Sequence, residues 1–104
     1  MSEYRVSLDL EGLAEALFRS CWVPDLKAFE RELRVSWRRL SERQASVLER
    51  RWGLYQGFDL SWSEAGKVLG LTRRQVQLAE RAALRRLRHP STGLRDLVEL
   101  IEDA

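Results

Sequence analysis

The sequence predicts an all-α fold, a compact helical domain, on three observations. Apolar residues recur three and four positions apart along much of the chain, the spacing that gives a helix one buried face. Three Ser or Thr residues are each followed three positions later by Glu or Gln, a pattern that marks helix starts. The strand-like alternation is confined to Tyr4, Val6, Leu8 and Leu10, and no strand is predicted from it. With 104 residues, 44% of them hydrophobic, the chain can bury one modest core.

Leu10, Leu13, Ala14, Leu17, Phe18 and Cys21 share a face, so a first helix is expected over about 9–22, capped by Ser7 or Asp9 and punctuated by Pro24. A second stripe, Leu26, Phe29, Leu33, Trp37 and Leu40, predicts a helix over about 25–40 with those residues in the core. These two helices make residues 1–36 an N-terminal helical extension to a domain at 37–104. The capping boxes are Ser41 with Gln44, Ser61 with Glu64 and Thr72 with Gln75. They predict a helix to about Trp52 closed by Gly53, a loop turning at Gly57, a short helix Trp62 to Leu69, and a longer one after Gly70, Leu71 and Thr72.

A short helix, a turn containing Gly and a longer capped helix form a helix-turn-helix, whose second helix enters the DNA major groove. The spacing suits it: Gly66 falls where the helices cross, and Ala65, Leu69, Leu71, Val76 and Ala79 take the buried positions. At about 100° per residue, Val76, Ala79, Ala83 and Leu87 lie together on the last helix. Arg74, Gln77, Leu78, Arg81, Arg85 and Arg88 lie opposite them, and Glu80 is the one acid available to that basic stripe. A solvated helix surface is the bland reading of such a stripe; nucleic-acid contact is the reading its one-signed charge favours. Leu78 in its middle suits a thymine methyl or a protein partner, although a single exposed Leu is also ordinary.

Formal net charge is only +2, but it is segregated. Residues 1–33 carry net −3, residues 65–88 net +6, and the tail from His89 net −3. Arg predominates among the basic residues, which suits bidentate phosphate or guanine contacts, and a GC-rich genome would give the same bias.

From Leu40 onward the strings LSERQ, VLERRWGL, SWSEAGKVLGLTRRQVQ and ERAALRRLRHPS followed by LRDL resemble region four of the sigma-70 family. The RLRHPS string weighs in this match because no general structural reason calls for it. The resemblance implies a domain that binds an upstream promoter element and holds the flap of the RNA polymerase beta subunit. By position it implies phosphate contacts for Arg43, Arg51, Ser61 and Trp62, a capping role for Thr72 and a DNA contact for Arg73. Where the family reads bases with Glu, Arg, Arg and Gln, this chain has Arg74, Gln75, Gln77 and Leu78: the framework is kept and the reading head is changed. The polymerase surface expected from the resemblance comprises Trp52, Leu54, Tyr55 and Trp62, in a groove between two helices; burial of Trp52 and Trp62 in the core is the alternative. Residues 1–36 do not resemble the sigma region that melts promoters, so a complete sigma factor is not expected.

Two functions follow as expectations. One is a DNA-binding transcription regulator that reads duplex DNA through residues 73–88, with Arg73, Arg74, Gln75, Gln77 and Arg81 in the major groove, and that also binds RNA polymerase. The other is a region-four mimic that occupies the flap with little DNA binding of its own. An enzyme is not expected: His89 is the lone histidine, no Ser-His-Asp set can be assembled, and no Gly-rich phosphate loop is present. Cys21 and His89 are too few ligands for zinc, and no metal or other cofactor is expected. No apolar run approaches the roughly 18 residues of a membrane span and no leader pattern opens the chain, so a cytoplasmic protein without a membrane partner is expected.

Overall fold

The computed structural model describes residues 10–52 and 59–101. These carry five α-helices, α1 (Leu10–Phe18), α2 (Leu26–Ser36), α3 (Glu42–Arg51), α4 (Trp62–Leu69) and α5 (Arg73–Arg88). Two short strands, β1 (Cys21–Trp22) and β2 (Glu99–Leu100), pair antiparallel with Cys21 opposite Leu100 and Trp22 opposite Glu99. Residues 40–83 form one compact unit and residues 10–39 with 84–101 another, with α5 supplying residues to both. The expected all-α class holds, with this small ladder as an addition.

In the second unit, α1 buries Leu13, Ala14 and Leu17 but stops four residues before the expected end. Arg19 turns left-handed at φ 65, and Cys21 and Trp22 leave for β1. A helical stripe in a sequence cannot announce this, because the strand's partner lies almost eighty positions away. The thiol of Cys21 is pushed up by desolvation and then by the nearby Glu15 charge, as fits a structural rather than a reactive cysteine.

The second helix also ends early. α2 is capped by Asp25, whose carboxylate accepts the Ala28 N–H at 3.1 Å, and after Ser36 the chain tightens into a 3₁₀ turn at Trp37–Arg39. Only part of the expected stripe is core: Phe29 and Leu33 are buried, Trp37 and Leu40 are half-buried, and Leu26 is 40% exposed. Leu26 sits one residue inside the cap, where a side chain gains least cover from the turns that follow. The RLRHPS string, expected to lack a structural reason, has one here. His89 Nδ1 accepts the Ser91 N–H at 3.1 Å, the Arg39 guanidinium donates to the Ser91 hydroxyl and carbonyl, and Arg86 donates to the Arg39 carbonyl at 2.8 Å.

In the first unit all three capping boxes form. Each hydroxyl of Ser41, Ser61 and Thr72 accepts the backbone N–H three residues on, at 3.0–3.1 Å. The side chains of Gln44, Glu64 and Gln75 accept in return from the backbone N–H groups of the caps, at 2.8–2.9 Å. α4 has the bounds its sequence predicts, and α5 starts where expected. Val47, Ala65, Val76 and Ala79 form the buried centre, with Leu60, Trp62, Leu69 and Leu71 packed around it. The expected cap at Ser7 or Asp9, most of the alternation that begins at Tyr4, and the loop glycines Gly53 and Gly57 lie outside the described residues.

The turn from α4 to α5 depends on two glycines. Gly70 closes α4 at φ 73, a left-handed conformation costly for any residue with a Cβ. Gly66 is in an ordinary helical position, but a Cβ there would lie 2.5 Å from the Leu71 carbonyl oxygen. The Leu71 N–H donates to the Gly66 carbonyl at 2.8 Å, so the turn is drawn onto the helix at that point.

Two stability predictions follow. Gly66→Ala forces backbone apart and is expected to cost about 1–3 kcal/mol, with Gly70→Ala costing about 1–2 kcal/mol through φ alone. Urea melts read both, and an unchanged midpoint for Gly66→Ala would contradict the close approach. The Glu64 carboxyl is held below its usual range by the Ser61 backbone and side-chain hydrogen bonds. A lowered folded-state value means that its stabilisation is present above the unfolded-state value and lost as pH falls through the folded one. The thermal advantage of the wild type over Glu64→Gln is therefore expected to shrink between about pH 6 and about pH 3; a constant difference would remove Glu64 titration from the account.

Candidate nucleic-acid interface

The sequence-predicted contact residues divide by environment. Thr72, Arg73, Arg74, Gln75 and Arg81 are exposed, as are Arg43 at the start of α3 and Ser61 at the cap of α4. Gln77 is half-buried at the edge of the exposed face, and Leu78 is 47% exposed in its middle. Three of these side chains already have local duties, the Thr72 hydroxyl among them, since it accepts the Gln75 N–H at 3.0 Å. The Ser61 hydroxyl serves its capping box, and the Gln75 carbonyl oxygen accepts from the Thr72 N–H, leaving the Gln75 amide N–H groups as donors.

Glu80 is where the structure changes the sequence reading. Counted there as an acid available to the exposed stripe, it is 7% exposed and faces inward. Its Oε1 accepts the indole N–H of Trp62 at 2.7 Å and the Arg51 Nε at 3.3 Å. Arg51 also donates from Nη1 to the Leu60 carbonyl at 2.9 Å. A buried carboxylate needs such partners, and here one side chain from α3 and one from α4 supply them to α5. Helical spacing contained the signal, since position 80 is four after Val76 and three before Ala83, both buried.

With Glu80 withdrawn, the exposed side of α5 within this unit carries Arg73, Arg74 and Arg81 and no carboxylate. The helix start makes the same point. Glu42 and Glu64 lie in the first turns of α3 and α4, where a negative charge suits the helix dipole, whereas α5 has no acid there and opens with two arginines. That arrangement works against the isolated helix and in favour of an anion placed against its N-terminus. Guanidinium forks, amide donors and one apolar side chain on a helix presented by a tight turn can bind phosphates and donate to base edges.

Trp62 is half-buried, and its ring lies beneath two cations, the Arg51 and Arg73 guanidinium carbons at 5.2 and 5.3 Å from the ring centre. Trp52 is half-buried as well, and its indole nitrogen is buried without a hydrogen-bond partner among the described residues. Leu54 and Tyr55, the other expected members of a polymerase surface, lie outside the described residues. Among those residues no cluster of three or more His, Cys, Asp or Glu could hold a metal ion, and no helix is long and apolar enough to cross a membrane.

Comparison with known proteins agrees with this geometry. Residues 38–89, half of the chain, match the family described as Sigma-70, region 4. The chain is similar to the RNA polymerase sigma factor SigA of Bacillus sp, 45% identical over 62 residues, which cover 58% of this chain and 16% of that protein. It is also similar to the RNA polymerase sigma factor SigA of Listeria monocytogenes, 42% identical over 62 residues covering 58% and 17%. The chain thus spans about a sixth of the length of these curated relatives. With its helix-turn-helix, its capped second helix and this match over the same residues, the chain belongs to the sigma-70 region 4 family.

Proposed function

We propose that this chain is a DNA-binding transcription regulator of sigma region-4 type that engages duplex DNA through α5 and binds RNA polymerase as a second partner. The observation that carries the DNA reading is the acid-free basic face of α5, cleared by the inward turn of Glu80. In this reading Arg74 and Gln77 donate to base edges and Leu78 meets a thymine methyl, the apolar feature of the major groove. Arg43, Ser61, Thr72 and Arg73 meet phosphates and fix the register, with Arg81 on the same helix face. The Gln75 amide contributes its free N–H donors.

The polymerase reading rests on the family and on the relatives, whose names are those of RNA polymerase sigma factors. Its proposed seat is the surface around Trp52, Leu54, Tyr55 and Trp62, offered to the beta flap. A titration with an isolated flap-tip fragment, followed by Trp fluorescence, is expected to saturate; no change from folded protein at high concentration would leave a regulator that acts through DNA alone.

For DNA, affinity for mixed-sequence duplex is expected to fall with salt at a log-log slope of roughly −0.9 for each phosphate neutralised. Arg74→Ala is expected to cost about 1–3 kcal/mol on a preferred site and to relax selectivity, whereas Arg43→Ala weakens all sequences alike. Replacing thymine by deoxyuridine in a preferred site removes the methyl group that Leu78 would meet and is expected to weaken wild type more than Leu78→Ala. Fluorescence anisotropy reads each. Absence of duplex binding at low salt would favour a region-four mimic that works on polymerase.

A further inference from the structure

Trp62 and Glu80 form a device that the DNA reading does not require of them. The indole is held at one edge by the Glu80 carboxylate, and both guanidinium groups lie over the ring. The two cations differ. Arg51 is committed inward, to Glu80 and to the Leu60 carbonyl, and its side chain is 22% exposed. Arg73 is exposed, is the first residue of α5, and has no carboxylate partner among the described residues.

We infer that Trp62 and Glu80 are positioning residues for Arg73: Glu80 fixes the indole, and the indole holds the Arg73 guanidinium ready for a DNA phosphate at the start of α5. The inference rests on the DNA reading of α5 and adds how one of its contacts is prepared. A guanidinium that meets a ring through its face keeps its N–H edges free for the two oxygens of a phosphate. A free Arg side chain must be ordered when it binds, and a platform that restricts it beforehand removes part of that loss. The Arg51–Glu80 pair completes the device. Without the carboxylate, two like charges would share one ring uncompensated; with it, Arg51 is neutralised and Arg73 keeps an unshared charge.

The test uses the full chain and four proteins: wild type, Arg73→Ala, Trp62→Leu and the double variant, each shown folded by thermal melting. On mixed duplex, Arg73→Ala is expected to lose about tenfold in affinity, Trp62→Leu somewhat less, and the double variant no more than Arg73→Ala alone, the non-additivity of groups acting together. Trp62→Phe keeps a ring face and is expected to restore most of the loss seen in Trp62→Leu. Additive losses, or an unaffected Trp62→Leu, would overturn the inference. A second measurement needs no DNA: the Arg73 δ-methylene protons are expected upfield from the ring current in wild type, moved back in Trp62→Leu and shifted in Glu80→Gln as the indole loosens. Ordinary Arg73 shifts in wild type would overturn the positioning. A wild type with the upfield shift but no duplex binding would instead defeat the DNA reading of α5, and with it the purpose assigned to the platform.

Discussion

The approach of the Leu71 carbonyl oxygen to within 2.5 Å of where a Cβ on Gly66 would stand is the contact on which the rest of the reading unit depends. It brings the turn directly onto α4, so only three residues separate α4 from α5. Gly70 supplies the left-handed step and the Thr72–Gln75 box supplies the new helix with its first partners. Val76 and Ala79 then land on Ala65 and Val47, where small and β-branched side chains fill the space left by so close a crossing. A larger residue at Gly66 would push the Leu71 carbonyl, and with it the turn into α5, off α4.

Glu80 solves a different problem. A carboxylate in the core is costly, and the hydrogen bonds and ion pair it makes offset that cost without making it a large net stabiliser. Its effect is better described as specification: the partners come from α3 and α4, so the carboxylate fixes both relative to α5. The same burial determines the outside of the helix. An acid on the exposed face would pair with Arg81 or its neighbours; the buried Glu80 pairs with Arg51 and leaves the outer arginines unpaired by it.

What the sequence disclosed follows from range. Capping boxes are closed by residues three positions apart, so Ser61 with Glu64 and Thr72 with Gln75 were legible, and with them the bounds of α4 and the start of α5. The end of α1 was not legible, because β1 exists only through its pairing with Glu99 and Leu100. Leu26 and Leu33 look alike in the periodic pattern, yet Leu33 is buried and Leu26 is 40% exposed. Glu80 was misplaced for a chemical reason rather than a geometric one. Its position in the wheel was inward, but a carboxylate is ordinarily assigned to solvent unless its partners are known, and Trp62 and Arg51 are distant in sequence.

The residues of the helix-turn-helix divide by where their atoms are used. The groups that hold the turn and seat α5, namely Gly66, Gly70, Val76, Ala79 and Glu80, spend their atoms inside the unit. Arg74, Leu78 and Arg81 are exposed, Leu78 at 47%. If α5 reads DNA as proposed, those three positions can change with less disturbance to the packed interior than the buried ones. Gln75 is the intermediate case, since its carbonyl oxygen closes the helix cap while its amide N–H groups remain available. A substitution there removes the cap as well as the outward donors, so Gln75 is less free to vary than Arg74 or Arg81. Arg73 is constrained from the other direction: it is exposed, but its guanidinium lies over the Trp62 ring, and that ring is hydrogen-bonded to the buried Glu80 carboxylate.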